Sequence, residues 1–190
     1  MRKLLALLAL GACGMTSTTA CVPAPAPPPP SGVILYGDSL IQEALPYLDN
    51  AEVHAWGGTA ICDWTLQIIQ RVNEVHPRAV VLSFWGNTLF TECMYGYETP
   101  DQIRAKYAAD MAVLKEHVHV PILWVLNPMT RDRGEPVPNP LYAAEPWHVD
   151  AGAAVEGPNG EFLPEYRLDD GLHLNDEGAR RFGDAIDAAL

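Results

Sequence analysis

The apolar residues of this chain form short runs that alternate with longer segments of helical periodicity. The runs predict buried strands, because a parallel strand covered on both faces reads as a continuous apolar stretch. They lie at residues 33–36, 51–55, 79–84 and 120–126. The segments with apolar positions at helical spacing predict helices. These lie at residues 39–48, 60–75, 100–117 and 176–189.

Two of the predicted helices begin with capping signals. Thr99 can cap the third helix, Pro100 suits its first turn, and Asp101 favours the positive end of its dipole. Asn175 stands directly before the last helix and can cap it. Residues 130–165, which are rich in Pro and Gly, predict a long ordered excursion with little regular structure. Loops of that length are uncommon and tend to be functional.

The alternation of strands and helices predicts the fold class α/β. Parallel strands that are joined by helices form a sheet covered on both faces, which gives a three-layer α/β/α sandwich with a doubly wound sheet. Reactive groups in such folds gather at the carboxyl ends of the strands. The residues that directly follow each strand are therefore the first candidates for a site.

The pattern of residues at the N-terminus predicts an export signal. A short basic stretch at residues 1–3 precedes an apolar run at residues 4–12, which is too short to span a bilayer. The run leads into Leu-Gly-Ala-Cys, which resembles a bacterial lipobox with Cys13 as the lipidated residue. Cys21 is the alternative lipidation site. A plain cleaved signal peptide with an incidental cysteine is the other interpretation.

We expect three parts along the chain. Residues 1–21 form the leader, residues 22–31 a proline-rich linker that acts as a stiff spacer, and residues 32–190 a single domain. The predicted location is the outer face of the cell membrane or the periplasm if the protein is lipidated, and secretion otherwise.

The charge balance narrows the range of partners. The chain has 12 Lys and Arg against 24 Asp and Glu, with a net charge of −12. Phosphate backbones and anionic lipid surfaces bind clustered basic residues. We therefore expect no nucleic-acid partner, and membrane contact only through an N-terminal lipid anchor. The sequence also has no P-loop or dinucleotide-binding pattern, which argues against a nucleotide- or flavin-binding module.

Two segments carry residues suited to nucleophilic catalysis. Ser39 follows the first strand in the GDSL stretch at residues 37–40, on the predicted turn into a helix. A serine needs a base to take its proton, and the base needs a partner that orients it. His173 and Asp170, three residues apart before the last helix, can supply both. The alternatives are that Asp38 or Ser39 only caps the helix and that His173 is an ordinary surface residue.

Two further strand ends carry candidate donors for a developing oxyanion. Gly57 and Gly58 follow the second strand, and a glycine there lets a backbone N–H approach a substrate oxygen closely. Asn87 follows the third strand, and its side-chain amide can donate to the same oxygen. Both segments can also be read as turns, with a positive φ at a glycine or an Asx motif at Asn87.

Two cysteines remain once the leader is set aside. Cys62 and Cys93 are an even pair in a domain that is expected to be exported, and so are candidates for a disulfide. Two buried free thiols are the alternative, because spacing alone does not give the distance between their Cα atoms. The sequence shows no cysteine or histidine pattern with zinc spacing.

These segments together resemble the SGNH hydrolases of the GDSL esterase family, whose four sequence blocks contribute Ser, Gly, Asn and His. The resemblance covers residues 32–190, and the four motifs occur in the family's order with the GDSL block intact. It implies a flavodoxin-like sheet of about five strands. The implied roles are the triad Ser39, Asp170 and His173, and the oxyanion-hole donors Ser39, Gly58 and Asn87.

The third block departs from the family pattern. The family usually has Gly-x-Asn-Asp, whereas Trp85 and Thr88 replace the first and last of these residues here. Asn87 is retained, so we expect the oxyanion hole to be retained. The second block is ambiguous between its two glycines, and we assign the role to Gly58.

Residues 57–64 also resemble SGNH domains that are related to bacterial envelope acyltransferases. That resemblance supports a disulfide between Cys62 and Cys93, each of which comes shortly after an oxyanion-hole segment.

The resemblance implies a serine esterase that requires no metal or cofactor. The expected substrate is a short acyl or acetyl ester of a carbohydrate or small molecule, and the protein is expected to act as a monomer. Trp56 and Trp85 adjoin the oxyanion segments and could stack on a sugar, although packing is the expected role of most tryptophans. The alternatives are a cell-envelope O-acyltransferase that uses the same triad, and a non-catalytic carbohydrate-binding lipoprotein on the same fold.

Overall fold

The computed structural model describes residues 32–88, 91–130 and 134–190. The predictions for the leader, the linker and lipidation at Cys13 or Cys21 concern residues outside these ranges. Within the described ranges, no helix combines the length and the apolar character needed to cross a membrane.

Five strands of the described residues form a parallel sheet. They are β1 (Val33–Gly37), β2 (Glu52–Ala55), β3 (Ala79–Ser83), β4 (Ile122–Leu126) and β5 (His148–Asp150). Their order across the sheet is β2-β1-β3-β4-β5, and every neighbouring pair is parallel. This is the flavodoxin-like order of a doubly wound sheet. The predicted fold class is therefore confirmed.

The helices lie between the strands and after the last one. The α-helices are α1 (Ser39–Ala44), α2 (Ile61–Val75), α3 (Pro100–His117), α4 (Asn139–Ala143) and α5 (Asp176–Asp187). Short 3-10 helices occur at Leu45–Tyr47, Glu92–Met94, Gly152–Ala154 and Pro164–Tyr166.

Helices cover both faces of the sheet. The core on one face contains side chains of α1 and α5, and the core on the other contains side chains of α2 and α3. Successive residues of a strand point to opposite faces. In β1, Val33 and Leu35 accordingly join the first core, and Ile34 and Tyr36 join the second. Burial on both faces explains why β1 reads as an unbroken apolar run.

The predicted capping signals mark the starts of α3 and α5. Thr99 Oγ1 accepts a hydrogen bond from the Gln102 N–H at 3.3 Å, and the Gln102 side chain accepts from the Thr99 N–H at 3.0 Å. This capping box begins α3 at the predicted residue. The Asn175 side chain accepts from the Gly178 N–H at 3.0 Å and caps α5.

Two sequence-based predictions about regular structure were wrong. The α-helix predicted at residues 39–48 ends at Ala44, because Pro46 has no N–H to continue it, and the chain goes on as a 3-10 turn. Residues 130–165 contain more regular structure than predicted, namely α4 and β5. β5 has only three residues, none of them buried, so it carries no apolar run.

Candidate active site

The carboxyl ends of β1, β2 and β3 bring the predicted site residues to one edge of the sheet. β1 lies between β2 and β3, so the chain moves to one side of β1 for the second strand and to the other side for the third. Such a switch point opens a crevice. Ser39 follows β1, Gly58 follows β2 and Asn87 follows β3, while His173 comes from the loop before α5.

Ser39 is the first residue of α1 and lies on a tight turn. Asp38 is the N-cap, and its Oδ1 accepts a hydrogen bond from the Leu40 N–H at 3.2 Å. Gly37 has no room for a side chain, because a Cβ there would overlap Ile41 and lie 3.0 Å from the Ser83 carbonyl oxygen. The capping role therefore belongs to Asp38, and the Ser39 hydroxyl is left for another partner.

That partner is His173, which connects Ser39 to Asp170. His173 Nε2 lies 3.2 Å from Ser39 Oγ, and His173 Nδ1 lies 2.6 Å from Asp170 Oδ2. Asp170 Oδ1 also accepts from the backbone N–H groups of Leu172 at 2.9 Å and His173 at 3.0 Å. The loop thus holds its own carboxylate in place, and the hydroxyl, imidazole and carboxylate form one hydrogen-bonded chain.

These hydrogen bonds keep Asp170 ionised. Partial burial raises the pKa of Asp170, but the bonds from the His173 N–H, the His173 ring and the Leu172 N–H outweigh it and lower the pKa to about 2. In the neutral imidazole, a carboxylate at Nδ1 favours the tautomer that carries its proton on that nitrogen. Nε2 is then free to accept a proton from Ser39.

The side-chain NH2 group of Asn87 donates two hydrogen bonds. Its Nδ2 donates to Asp38 Oδ2 and to the Thr59 carbonyl oxygen, each at 3.1 Å. A side-chain amide has two N–H donors, so both are used in this structure. An oxygen that enters the site has to share or displace one of these two bonds.

Asp38 contributes a connection that the sequence analysis missed. It is completely buried, and its Oδ2 accepts from the Trp85 N–H at 2.7 Å as well as from Asn87. Burial raises the pKa of Asp38 to about 6, against the lowering effect of the Trp85 and Leu40 N–H groups. This carboxylate joins the turn after β1 to the segment after β3. The position of Asp38 next to Ser39 in the sequence does not predict that contact.

The two glycines of the second block differ in the use of their N–H groups. The Gly57 N–H donates to Gln42 Oε1 at 2.9 Å. Gly58 has a φ of +80°, in the region that glycine favours. Among the residues that the structure describes, none accepts a hydrogen bond from the Gly58 N–H. The assignment of the donor role to Gly58 stays a prediction, and the free N–H agrees with it.

A disulfide joins Cys62 and Cys93, whose Cα atoms are 6.0 Å apart. It connects the first turn of α2, just after Gly58, to the 3-10 helix Glu92–Met94, which follows Asn87 along the chain. The pairing that the family resemblance implied is present in the structure. It ties together the two segments that carry the candidate oxyanion donors.

Glu43 is a second carboxylate at the site that sequence reasoning did not find. It lies one turn after Ser39 on α1, and its Oε2 accepts from the Leu174 N–H at 2.7 Å. Its Oε1 is 3.9 Å from His173 Nε2. Burial raises the pKa of Glu43 to about 7, although the Leu174 N–H and His173 lower it. No local pattern marks this residue, because its partners come from the far end of the chain.

Of the two tryptophans beside the oxyanion segments, only Trp56 is available to a ligand. It is 67% exposed, whereas Trp85 is 8% exposed and donates its indole N–H to the Pro128 carbonyl oxygen at 3.2 Å. A hollow of about 450 Å³ opens at Thr88, the residue that follows Asn87 in the sequence. It is lined by Thr88, Met94, Tyr95, Gly96, Tyr97 and Glu98.

In the described part of the chain, no group of three or more His, Cys, Asp or Glu side chains is arranged to hold a metal ion.

Solved structures of ester hydrolases share this fold. A GDSL-like lipase from Bacteroides thetaiotaomicron is 17% identical with a TM-score of 0.59, over 83% of this chain and 86% of that one. An acetyl xylan esterase is 21% identical with a TM-score of 0.58, over 83% and 98%. A catalytic mutant of an acetylxylan esterase from Geobacillus stearothermophilus is 14% identical with a TM-score of 0.56, over 83% and 92%.

No protein-family model and no curated protein sequence matches the chain. The similarity to solved structures is one of architecture, namely a five-stranded parallel sheet flanked by helices. The protein therefore has the fold of the SGNH hydrolases. At sequence identities this low, fold does not by itself determine the reaction.

Proposed function

We propose that this protein is a serine esterase that removes a short acyl group, such as acetyl, from a carbohydrate. The observation that carries the proposal is the continuous hydrogen-bonded chain from Ser39 Oγ through the His173 ring to Asp170. Nucleophilic catalysis by serine needs that order of groups. The SGNH hydrolase fold, which this chain shares with acetylxylan esterases, supports the same reaction class.

The proposed reaction has two acyl-transfer steps. His173 Nε2 takes the proton of Ser39 as Oγ attacks the ester carbonyl, and the tetrahedral intermediate collapses when His173 returns that proton to the leaving alcohol. A water molecule then gives its proton to His173 and attacks the acyl-serine. His173 finally protonates Ser39, which restores the enzyme and releases the carboxylic acid. Asp170 stays ionised throughout and stabilises the imidazolium each time it forms.

The negative oxygen of each tetrahedral intermediate needs hydrogen-bond donors at the carboxyl ends of β1, β2 and β3. The backbone N–H groups of Ser39 and Gly58 and the Asn87 side chain are the proposed donors. Asn87 makes two hydrogen bonds in the free protein. The bond to the neutral Thr59 carbonyl oxygen is the one to share, because the bond to Asp38 keeps the amide in position.

The surface around the site favours a carbohydrate as the alcohol part of the ester. Trp56, two residues before Gly58 in the sequence, presents an exposed ring, and exposed aromatic rings with a polar rim are suited to partly apolar ligands. The hollow at Thr88 is also lined by Tyr95, Tyr97 and Glu98, and the polar groups of these residues can hydrogen-bond to hydroxyl groups.

The test is hydrolysis of p-nitrophenyl acetate and of acetylated xylo-oligosaccharides by the exported form of the protein. We expect Ser39→Ala and His173→Ala each to lose nearly all activity, and the double variant to be scarcely worse, because the residues act as a unit. His148→Ala is the matched control, since His148 is exposed at the start of β5. Substantial turnover by Ser39→Ala would rule out the proposed nucleophile.

The same assays separate the alternatives. Formation of acetylated sugar from an added acceptor, in preference to free acetate, would identify an acyltransferase. Binding of oligosaccharide with no turnover by the parent protein would identify a carbohydrate-binding protein. Trp56→Ala should raise KM for the oligosaccharide and leave p-nitrophenyl acetate hydrolysis nearly unchanged. Equal KM values of the parent and Trp56→Ala for the oligosaccharide would exclude stacking on Trp56.

A further inference from the structure

Glu43 faces the side of the His173 ring that the triad carboxylate does not reach. Asp170 binds Nδ1, whereas Glu43 Oε1 lies 3.9 Å from Nε2, the nitrogen that receives the serine proton. The other oxygen of Glu43 accepts from the Leu174 N–H at 2.7 Å, so the carboxylate is fixed against the residue that follows His173. Ser39 and Glu43 are four residues apart on α1, so one helix presents both to the same imidazole.

Among the described residues, the charged groups that face Glu43 are two carboxylates and one group that can become a cation. Asp38 from the turn before α1 and Asp170 from the loop before α5 both face it, and each is a carboxylate of the same sign. Within the described residues, His173 is the only basic side chain within ion-pair distance of Glu43. Besides the hydrogen bond from the Leu174 N–H, the half-buried Glu43 carboxylate gains an opposite charge when the His173 ring is protonated.

We propose that Glu43 is a positioning residue that stabilises the protonated His173 ring from its Nε2 side and so sets the pH range of the reaction. The proposal rests on the esterase function proposed above. When His173 Nε2 takes the serine proton, the new N–H faces a region bounded by Ser39 Oγ and Glu43 Oε1. No proton passes to Glu43 in this step. Its charge lowers the energy of the imidazolium, and its bond to Leu174 N–H limits the movement of the ring.

The titration of Glu43 follows from the same contacts. Burial raises the pKa of Glu43 to about 7, and an imidazolium opposite lowers it. Glu43 therefore changes its charge within the pH range over which the esterase is assayed, while it lies opposite the proposed base. In the parent enzyme the acid limb of kcat/KM should therefore contain the ionisation of Glu43 in addition to that of the base.

The experiment compares Glu43→Gln with the parent on p-nitrophenyl acetate between pH 5 and pH 9. Glutamine keeps an oxygen that can accept from the Leu174 N–H but has no charge. The neutral, active imidazole then persists to lower pH, so the acid limb should move down by about 0.5–1 pH unit and become a single ionisation. The plateau of kcat/KM should fall by about 3- to 10-fold, with little change in KM.

Asp169→Asn is the control for loss of a negative charge near the loop, since Asp169 is exposed and is the neighbour of Asp170. Its pH profile should match that of the parent. Glu43→Asp separates charge from contact, because it keeps the charge but is one methylene shorter. It should retain the two-ionisation acid limb, with a lower plateau.

A pH profile of Glu43→Gln that overlays the parent profile would overturn the proposal. An NMR titration of the His173 ring in the Ser39→Ala background gives a readout that needs no turnover, and its midpoint should fall when Glu43→Gln is added. The failures can be told apart. If Ser39→Ala is fully active, the esterase assignment itself is lost. If Ser39→Ala is inactive and Glu43→Gln leaves both profile and titration unchanged, only the role of Glu43 is lost.

Discussion

At the scale of single residues, two carboxylates organise the site. Asp38 caps α1 through Oδ1 and holds the Trp85 N–H and the Asn87 amide through Oδ2. Asp170 binds the two N–H groups of its own loop and the His173 ring. The positions of the hydroxyl, amide and imidazole therefore depend on acids that do not themselves contact the scissile bond.

Replacement of Asn87 tests the third oxyanion donor. We expect Asn87→Ala to lower kcat by about 10²–10³, because one donor to the developing negative charge is lost. KM should change much less. The measurement is steady-state hydrolysis of p-nitrophenyl acetate, with Thr88→Val measured alongside to test the neighbouring hydroxyl as a donor. An unchanged kcat in Asn87→Ala would mean that Thr88 or another group donates to the oxyanion.

Replacement of Asp170 tests the orientation of the base. Asp170→Asn should lower kcat by up to about 10⁴, because the imidazole loses both the acceptor that fixes its tautomer and its charge partner. Since hydrogen bonds lower the pKa of Asp170 to about 2, the parent should show no loss of activity from protonation of this residue above about pH 4. Activity close to that of the parent in Asp170→Asn would show that His173 is not held by this carboxylate.

At the scale of elements, short links hold the strand ends together. The Cys62–Cys93 disulfide joins α2 to the segment after β3. The bond between Glu43 and the Leu174 N–H joins α1 to the residue that follows His173. Gly178, in the first turn of α5, lies against the Tyr166 carbonyl oxygen so closely that no Cβ fits there. The helix that follows His173 is thereby held against the preceding loop.

Removal of the disulfide should cost stability through the unfolded chain. The bridge spans a sequence separation of 31 residues. Cys62→Ser with Cys93→Ser should therefore lower the free energy of unfolding by about 3–4 kcal/mol on chain-entropy reasoning. Urea denaturation with and without reductant is the measurement. Reductant should destabilise the parent to the level of the double variant and leave the variant unaffected; a parent that does not respond would contradict this prediction.

At the scale of the whole molecule, the doubly wound sheet buries an ionisable side chain. Parallel strands β1 and β3 run side by side, and Asp38, which directly follows β1, is completely buried. The chain carries a net charge of −12, which adds repulsion to every buried carboxylate that ionises.

The stability of the fold should fall as the pH rises from about 4 to 7. Burial raises the pKa of Asp38 from 3.8 to about 6, so the folded state binds more protons than the unfolded state in this window. Asp38 alone should contribute a loss on the order of 3 kcal/mol. The low pKa values of Asp170 and Glu177 act in the opposite direction, but only below about pH 4.

Chemical denaturation of the parent and of Asp38→Asn at pH 4.5, 6 and 8 is the measurement. Asp38→Asn should be less stable overall, because it disturbs the cap of α1, yet its stability should depend less on pH. The same pH dependence in both proteins would show that Asp38 is not the group responsible.

The sequence by itself determined the features that depend on neighbouring residues. Burial on both faces makes β1 and β3 readable as apolar runs, and the capping residues Thr99 and Asn175 mark the starts of α3 and α5 because a cap acts within one helical turn. The GDSL motif and the pair Asp170 and His173 are local patterns as well. The order of the predicted strands and helices along the chain was enough to predict the fold class.

Only the tertiary structure decided the features that depend on distant residues. β5 is recognisable through its pairing with β4, because three half-buried or exposed residues carry no signal of their own. The Gln42 side chain accepts a hydrogen bond from the Gly57 N–H, a contact that the sequence of the second block does not predict. Glu43 belongs to the site because the N–H of Leu174, a residue distant in the sequence, donates a hydrogen bond to its carboxylate. Contacts of this kind join segments that have no common local pattern, so they exist only once the chain is folded.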